Sequence, residues 1–247
     1  MVLLGAGICF TVFARCSVKE HRENCPCIMI VTTDEDVSLR LSSEDGFLYE
    51  DYVVSGDTVR FEVPRKSLSY SFFSDCGAFF DGLGCFIPYG SEAPPIREMC
   101  GNIVAAGESV RLPVQLRKSY SLFTLDVHTL ASASTSPVPS VTVSGNVCGW
   151  LWSGEPRPGP FSVETVPEDG VFSVCIPRQV DSSLLLTVSL AGADRTFALG
   201  ELLARDGYDW SAPDLEDVSI YIDYAATILD LSITRYPSVV YQDAVVY

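Results

Sequence analysis

Histidine is almost missing from this chain: 247 residues contain only His21 and His128. Zinc hydrolases and Ser-His-Asp enzymes depend on imidazole to hold the metal or move the proton. One of these two would have to serve, and His21 lies in a polar stretch near the N-terminus. The patterns GxSxG, HExxH, GxGxxG and the Walker phosphate loop are absent too, so no local motif presents a nucleophile, a zinc site or a phosphate cradle. We therefore expect no catalytic residues, no metal and no cofactor. Basic residues are scarce, with 16 Lys and Arg against 32 Asp and Glu and a net charge of −16. A surface that acidic repels phosphate backbones, which sets nucleic acid aside as a partner. It also disfavours adsorption to anionic lipid by charge. Yet charged residues are only 19% of the chain and hydrophobic ones 47%, so this is not a disordered acidic polymer. The length suffices for one large core or two of ~100–130 residues each.

Long apolar runs are lacking with one exception. Residues 2–14 carry no charge. As a helix they would span ~20 Å, short of the ~30 Å hydrocarbon core, which fits the apolar region of a secretory signal. The run ends at Phe13, Ala14, Arg15, Cys16 and Ser17. This resembles a bacterial lipobox, with Arg15 where a small residue is usual. Residues 1–15 are then a signal peptide, and Cys16 is the expected lipidation site, carrying acyl chains such as palmitate. The competing reading is an ordinary signal cut that leaves Cys16 a plain thiol. Residues 16–24 read as a polar tether. Two or three acyl chains anchor a protein stably where one is marginal.

Nine cysteines are present, and their spacing is not that of a zinc site. Export permits disulfides. Cys76 and Cys85 flank a glycine-rich stretch and are candidates for a loop-closing bridge. Cys148 and Cys175 lie on separate strand-like segments and could pair across a sheet. The alternative is that most of the thiols are reduced, buried and small.

From Cys27 onward the pattern is that of strands. Residues 27–33, 37–42, 58–63, 68–73 and 109–115 alternate or run apolar between Gly-, Pro- and Asp-rich breaks. Residues 86–107 read as a long loop. A second series follows at 119–127, 141–143, 170–175 and 184–189, closed by a hairpin of residues 218–224 and 228–233. One short helix is expected at 199–206, stopped by Gly207. Many short strands with almost no helix predict an all-β protein of two β-sandwiches, an N-terminal one over 25–117 and a C-terminal one over 118–247.

Two clusters invite a functional reading. Asp206, Asp209, Asp214, Glu216, Asp217 and Asp223 could gather around calcium, but turn capping accounts for carboxylates at a helix end and a strand start. Trp150 and Trp152, at period two, and Trp210 could form a sugar platform. Core packing is the favoured reading.

Several segments coincide with one family. A lipobox-like Cys16 and a short tether lead to Asn24, Cys25, Pro26 and Cys27 at the first strand. Near the C-terminus stand Phe197-Ala198-Leu199-Gly200, Gly207-Tyr208-Asp209-Trp210, Asp214-Leu215-Glu216-Asp217 and Ile222-Asp223-Tyr224. Together these resemble the FimB-like fimbrial anchor lipoproteins of Bacteroidales. The resemblance implies two tandem transthyretin-like β-sandwiches, display on the outer membrane through the N-terminal lipid, and a structural role with fimbrial subunits by strand complementation. A surface glycan-binding lipoprotein is the alternative. Residues 238–247 are β-prone and nearly uncharged, so they are expected either to pair with the chain's own sheet or to be donated to a neighbour.

Overall fold

The computed structural model describes residues 25–74, 79–128, 139–167, 171–224, 228–234 and 245–246, the last two stretches by backbone alone. The first half folds from β1 (Cys27–Thr32), β2 (Val37–Ser42), β3 (Leu48–Val53), β4 (Thr58–Val63), β5 (Ser67–Ser74), a small hairpin of β6 (Phe79–Asp81) and β7 (Gly84–Phe86), β8 (Arg97–Val104), β9 (Ser109–Pro113) and β10 (Arg117–Lys118). The second half adds β11 (Tyr120–His128), β12 (Ser140–Leu151), β13 (Pro156–Thr165), β14 (Phe172–Pro177), β15 (Leu185–Leu190), β16 (Ala193–Phe197), α1 (Leu199–Arg205), β17 (Asp217–Asp223), β18 (Ile228–Thr234) and β19 (Val245–Val246).

Period-two burial decides how these strands stack. In β1 and β2 every second residue is buried, which places Cys27, Met29 and Val31 opposite Val37, Leu39 and Leu41. Two sheets close on them, β19-β9-β1-β4 and β10-β8-β5-β2-β3, with Phe72, Leu68, Val110 and Leu112 completing the first core. The second sandwich packs β14-β11-β17-β18 on β16-β15-β12-β7-β6, with β13 also paired to β12. Its core holds Phe123, Leu125, Val141, Val143, Trp150, Phe172, Leu186 and Ile220. Burial of these alternating faces is the main stabilising term, about 1.5–3 kcal/mol for each large apolar side chain. In each sandwich one pairing is parallel, β1 with β9 and β11 with β17.

The strands expected at 37–42 and 58–63 are β2 and β4, and the hairpin expected near the C-terminus is β17–β18, with Ile222 opposite Leu229. The helix ends as read: Gly207 has φ +80°, and the Tyr208 N–H reaches the Leu203 carbonyl at 2.9 Å. The reading of residues 86–107 as a loop is corrected, since they contain β8. Alternation is weak along it, with Glu98, Cys100, Asn102 and the exposed Val104 on its outward face, and Gly101 interrupts it where a Cβ would meet the Tyr70 hydroxyl at 2.7 Å. Three prolines hid β13. They are tolerated because β13, among the described residues, pairs with β12 alone, as an edge strand, across a ladder whose register shifts twice.

Hydrogen bonding crosses the expected division at residues 117 and 118 in both directions. Hairpin β6–β7 joins the second sandwich through β12, pairing Cys85 with Trp150. Strand β19 returns to the first, where Val245 and Val246 pair antiparallel with Arg111 and Val110 of β9.

Candidate functional site

The edge formed by β9 and β19 is the first candidate site. Strand β9 has β1 on one side, over five register pairs. On its other side, among the described residues, β19 covers only Val110 and Arg111. Such an edge presents backbone N–H and C=O groups to any strand that can lie along it. The residues 238–244 and 247 that complete the expected C-terminal segment lie outside the described residues.

A second feature lies where the sandwiches meet. Ser119, fully buried, sits between β10 and β11. Its hydroxyl donates to Glu98 Oε1 of β8 (2.7 Å) and accepts from Trp150 Nε1 (2.9 Å) and Arg178 Nε (3.2 Å). Arg178 then directs three more of its donors to the carbonyls of Trp210, Ala212 (2.8 Å) and Pro213 (3.3 Å), stapling that loop to the junction. Burial pushes the Glu98 carboxyl up, against the opposing effects of the Ser119 hydrogen bond and the Arg178 and Arg117 charges. Burial likewise pushes Arg178 down. The other Glu98 oxygen, Oε2, is buried without a partner. Beside this network opens a cleft of about 640 Å³, lined among others by Arg117, Glu155, Gln179, Asp209 and Trp210.

The tryptophans are packing residues. Trp150 is fully buried in the second core. Trp152 stacks on Phe80 and meets Phe73 edge-on, both at 5.4 Å, with the Arg40 guanidinium 5.2 Å above its ring. Trp210 is held between Tyr208 and Phe123. The acidic residues have separate local tasks. Asp209 caps Ser211 (2.8 Å), Asp214 accepts the Lys118 N–H (2.7 Å), and Asp217 pairs with the Lys118 ammonium and accepts the Leu122 N–H (2.8 Å).

Of the four disulfide candidates, Cys76 lies outside the described residues. Cys148 and Cys175 are free thiols, and Cys85 is buried in the second core. Cys148 is on β12, its sulfur turned to the Pro158 carbonyl at 3.6 Å. Cys175 is on β14 in the opposite sheet, where burial first and the Glu92 carboxylate second push its thiol up to about 12. Cys16 and the tether also lie outside the described residues. Sequence reasoning did not single out Ser119, Glu98 or Arg178. Their polar character has no local pattern, and only the docking of the two sandwiches buries them.

No family model matches this chain, and no curated protein does. Solved structures do. The fimbrial anchor protein Mfa2 of Porphyromonas gingivalis superimposes with a TM-score of 0.59 at 9% identity, over 85% of this chain and 97% of that one. The fold is shared with a fimbrial anchor. A candidate polysaccharide-binding protein of Bacteroides thetaiotaomicron gives a TM-score of 0.58 at 8% identity, over 85% and 98% of the two chains. A candidate adhesin of Bacteroides ovatus gives 0.53 at 12% identity, over 89% and 95%. At these identities the likeness is one of fold.

Proposed function

We propose that this chain is a non-catalytic, surface-displayed assembly subunit of a fimbrium, held at the outer membrane by lipid on Cys16 and joined to its neighbour by strand complementation. The carrying observation is the conjunction of a fold shared along most of both chains with a fimbrial anchor and a C-terminal strand that pairs along a sheet edge, through Val245 and Val246 among the described residues. Strand addition suits that edge, because backbone hydrogen bonds supply affinity and alternating side-chain pockets supply specificity. The chemistry of the interior supports a structural role. The polar network around Ser119 directs its donors to holding two sandwiches together.

The test is purification of fimbrial shafts from outer membranes. The chain is expected to travel with them, and its absence from intact shafts would count against the proposal. Intact-mass analysis of membrane-extracted protein tests the anchor, since an unmodified mature chain that begins elsewhere than Cys16 removes it.

The junction cleft, and a fold shared with a candidate polysaccharide-binding protein, favour glycan binding as a second reading. Trp150 supplies no platform, since it is fully buried, and Trp210 is the tryptophan that lines the cleft. Retention on a glycan panel that is lost on Trp210→Ala, with the fold intact, would support it.

A further inference from the structure

The described chain begins at one pole of the first sandwich. The Ile28 N–H bonds the Glu108 carbonyl (2.9 Å) and the Ala105 N–H bonds the Lys66 carbonyl (2.9 Å), which gathers the β4–β5 turn, the β8–β9 turn and Cys25 at one end. The β2–β3 turn is there too, because Lys66 pairs with Asp45 and lies 5.6 Å over the Phe47 ring. The second sandwich attaches elsewhere. It enters at the opposite end of β8, where Arg117 and Lys118 pair with Glu98 and Arg97, and it covers the middle of the outer sheet through Ser71 and Trp152. Beyond that cover, at the N-terminal pole, two large apolar side chains stand in solvent: Leu48, 53% exposed, and Val104, 59% exposed. Serines separate them along the ladder, with Ser67 opposite Val104, and Ser42 between Leu48 and Ser69.

We propose that this pole is a lipid-contact surface, on which Leu48 and Val104 rest in the headgroup layer and the second sandwich points away from the membrane. The inference rests on the anchor at Cys16 proposed above. Nine residue steps separate Cys16 from Cys25. That length of chain reaches roughly 30 Å even fully extended. An anchored molecule therefore keeps this pole close to the bilayer, and the contact becomes intramolecular, with the effective concentration of a short linker. Charge does not drive it. The turns at the pole carry Arg65 and Lys66 beside Glu44, Asp45 and Glu108 in near balance, with Lys66 paired to Asp45, so the contact is apolar and indifferent to the sign of the lipid.

The test replaces the lipid by a hexahistidine tag at position 16, on vesicles that contain nickel-chelating lipid and phosphatidylcholine with brominated chains. The three native tryptophans all belong to the second half of the chain. Leu48→Trp and Val104→Trp, both at exposed positions, each place one reporter at the pole, and Val166→Trp places a control on the second sandwich. The expected result is that emission from the introduced tryptophan at 48 or 104 falls by more than half, while the native tryptophans and the control are unquenched, equally on zwitterionic and anionic vesicles and at high salt. Equal quenching of pole and control overturns the proposal, and so does quenching at the pole that needs anionic lipid. Because the tag supplies the tether, this result stands apart from the mass analysis that decides lipidation.

Discussion

At the scale of single residues, the junction carries the sharpest consequences. Glu98 has a folded-state carboxyl raised by burial. Stability tied to it is therefore fully present below the ordinary carboxylate range and is lost as pH rises through the raised value. Glu98→Gln mimics the protonated form. Its denaturation midpoint should match that of the parent near pH 4 and exceed it at pH 7, as measured by urea titrations at both. Trp150 is fully buried and donates to Ser119. Trp150→Ala should cost about 3–5 kcal/mol, read from the same titrations. The sequence made the packing of Trp150 the favoured reading, because an aromatic amid strand-like residues is usually core. It gave no sign that Glu98 and Arg178 would meet, since they lie 80 positions apart and neither belongs to a motif.

Element scale is where local chemistry and long-range pairing part company. Strands β2 and β4 and the Schellman end of α1 were legible because each is encoded within a few residues. The landing of β6–β7 on β12 was not, because it depends on backbone approach at two glycines. A methyl on Gly84 would strike the Trp150 carbonyl oxygen, and one on Gly149 the Cys85 carbonyl oxygen. Gly84→Ala should thus loosen the hairpin from the second sandwich and destabilise the chain by on the order of 3 kcal/mol, with early hydrogen exchange at residues 79–86. The hairpin of β15 and β16 invites the opposite change. Its two-residue turn holds Ala191 at φ +53° and Gly192 at φ +80°, the mirror-image geometry that favours Asn-Gly. Ala191→Asn should raise stability by about 1 kcal/mol, seen as a higher melting midpoint.

Across the whole molecule, the two sandwiches exchange strands: the first half lends β6–β7 to the second, and the C-terminus lends β19 to the first. Alternating hydrophobicity announced two β-sandwiches. It could not announce that exchange, because an apolar strand reads the same whichever sheet receives it. The arrangement places Cys25 at one pole and β19 on an edge of the same sandwich, paired there through Val245 and Val246 among the described residues. The assembly subunit proposed above needs a fixed end and an exchangeable one, and these are the two candidates for those roles. The most direct measurement is therefore removal of residues 238–247. The account predicts that the truncated chain keeps a cooperative unfolding transition and its place in the membrane but no longer travels with fimbrial shafts. A truncated chain that unfolds, or that still carries fimbriae, would contradict it.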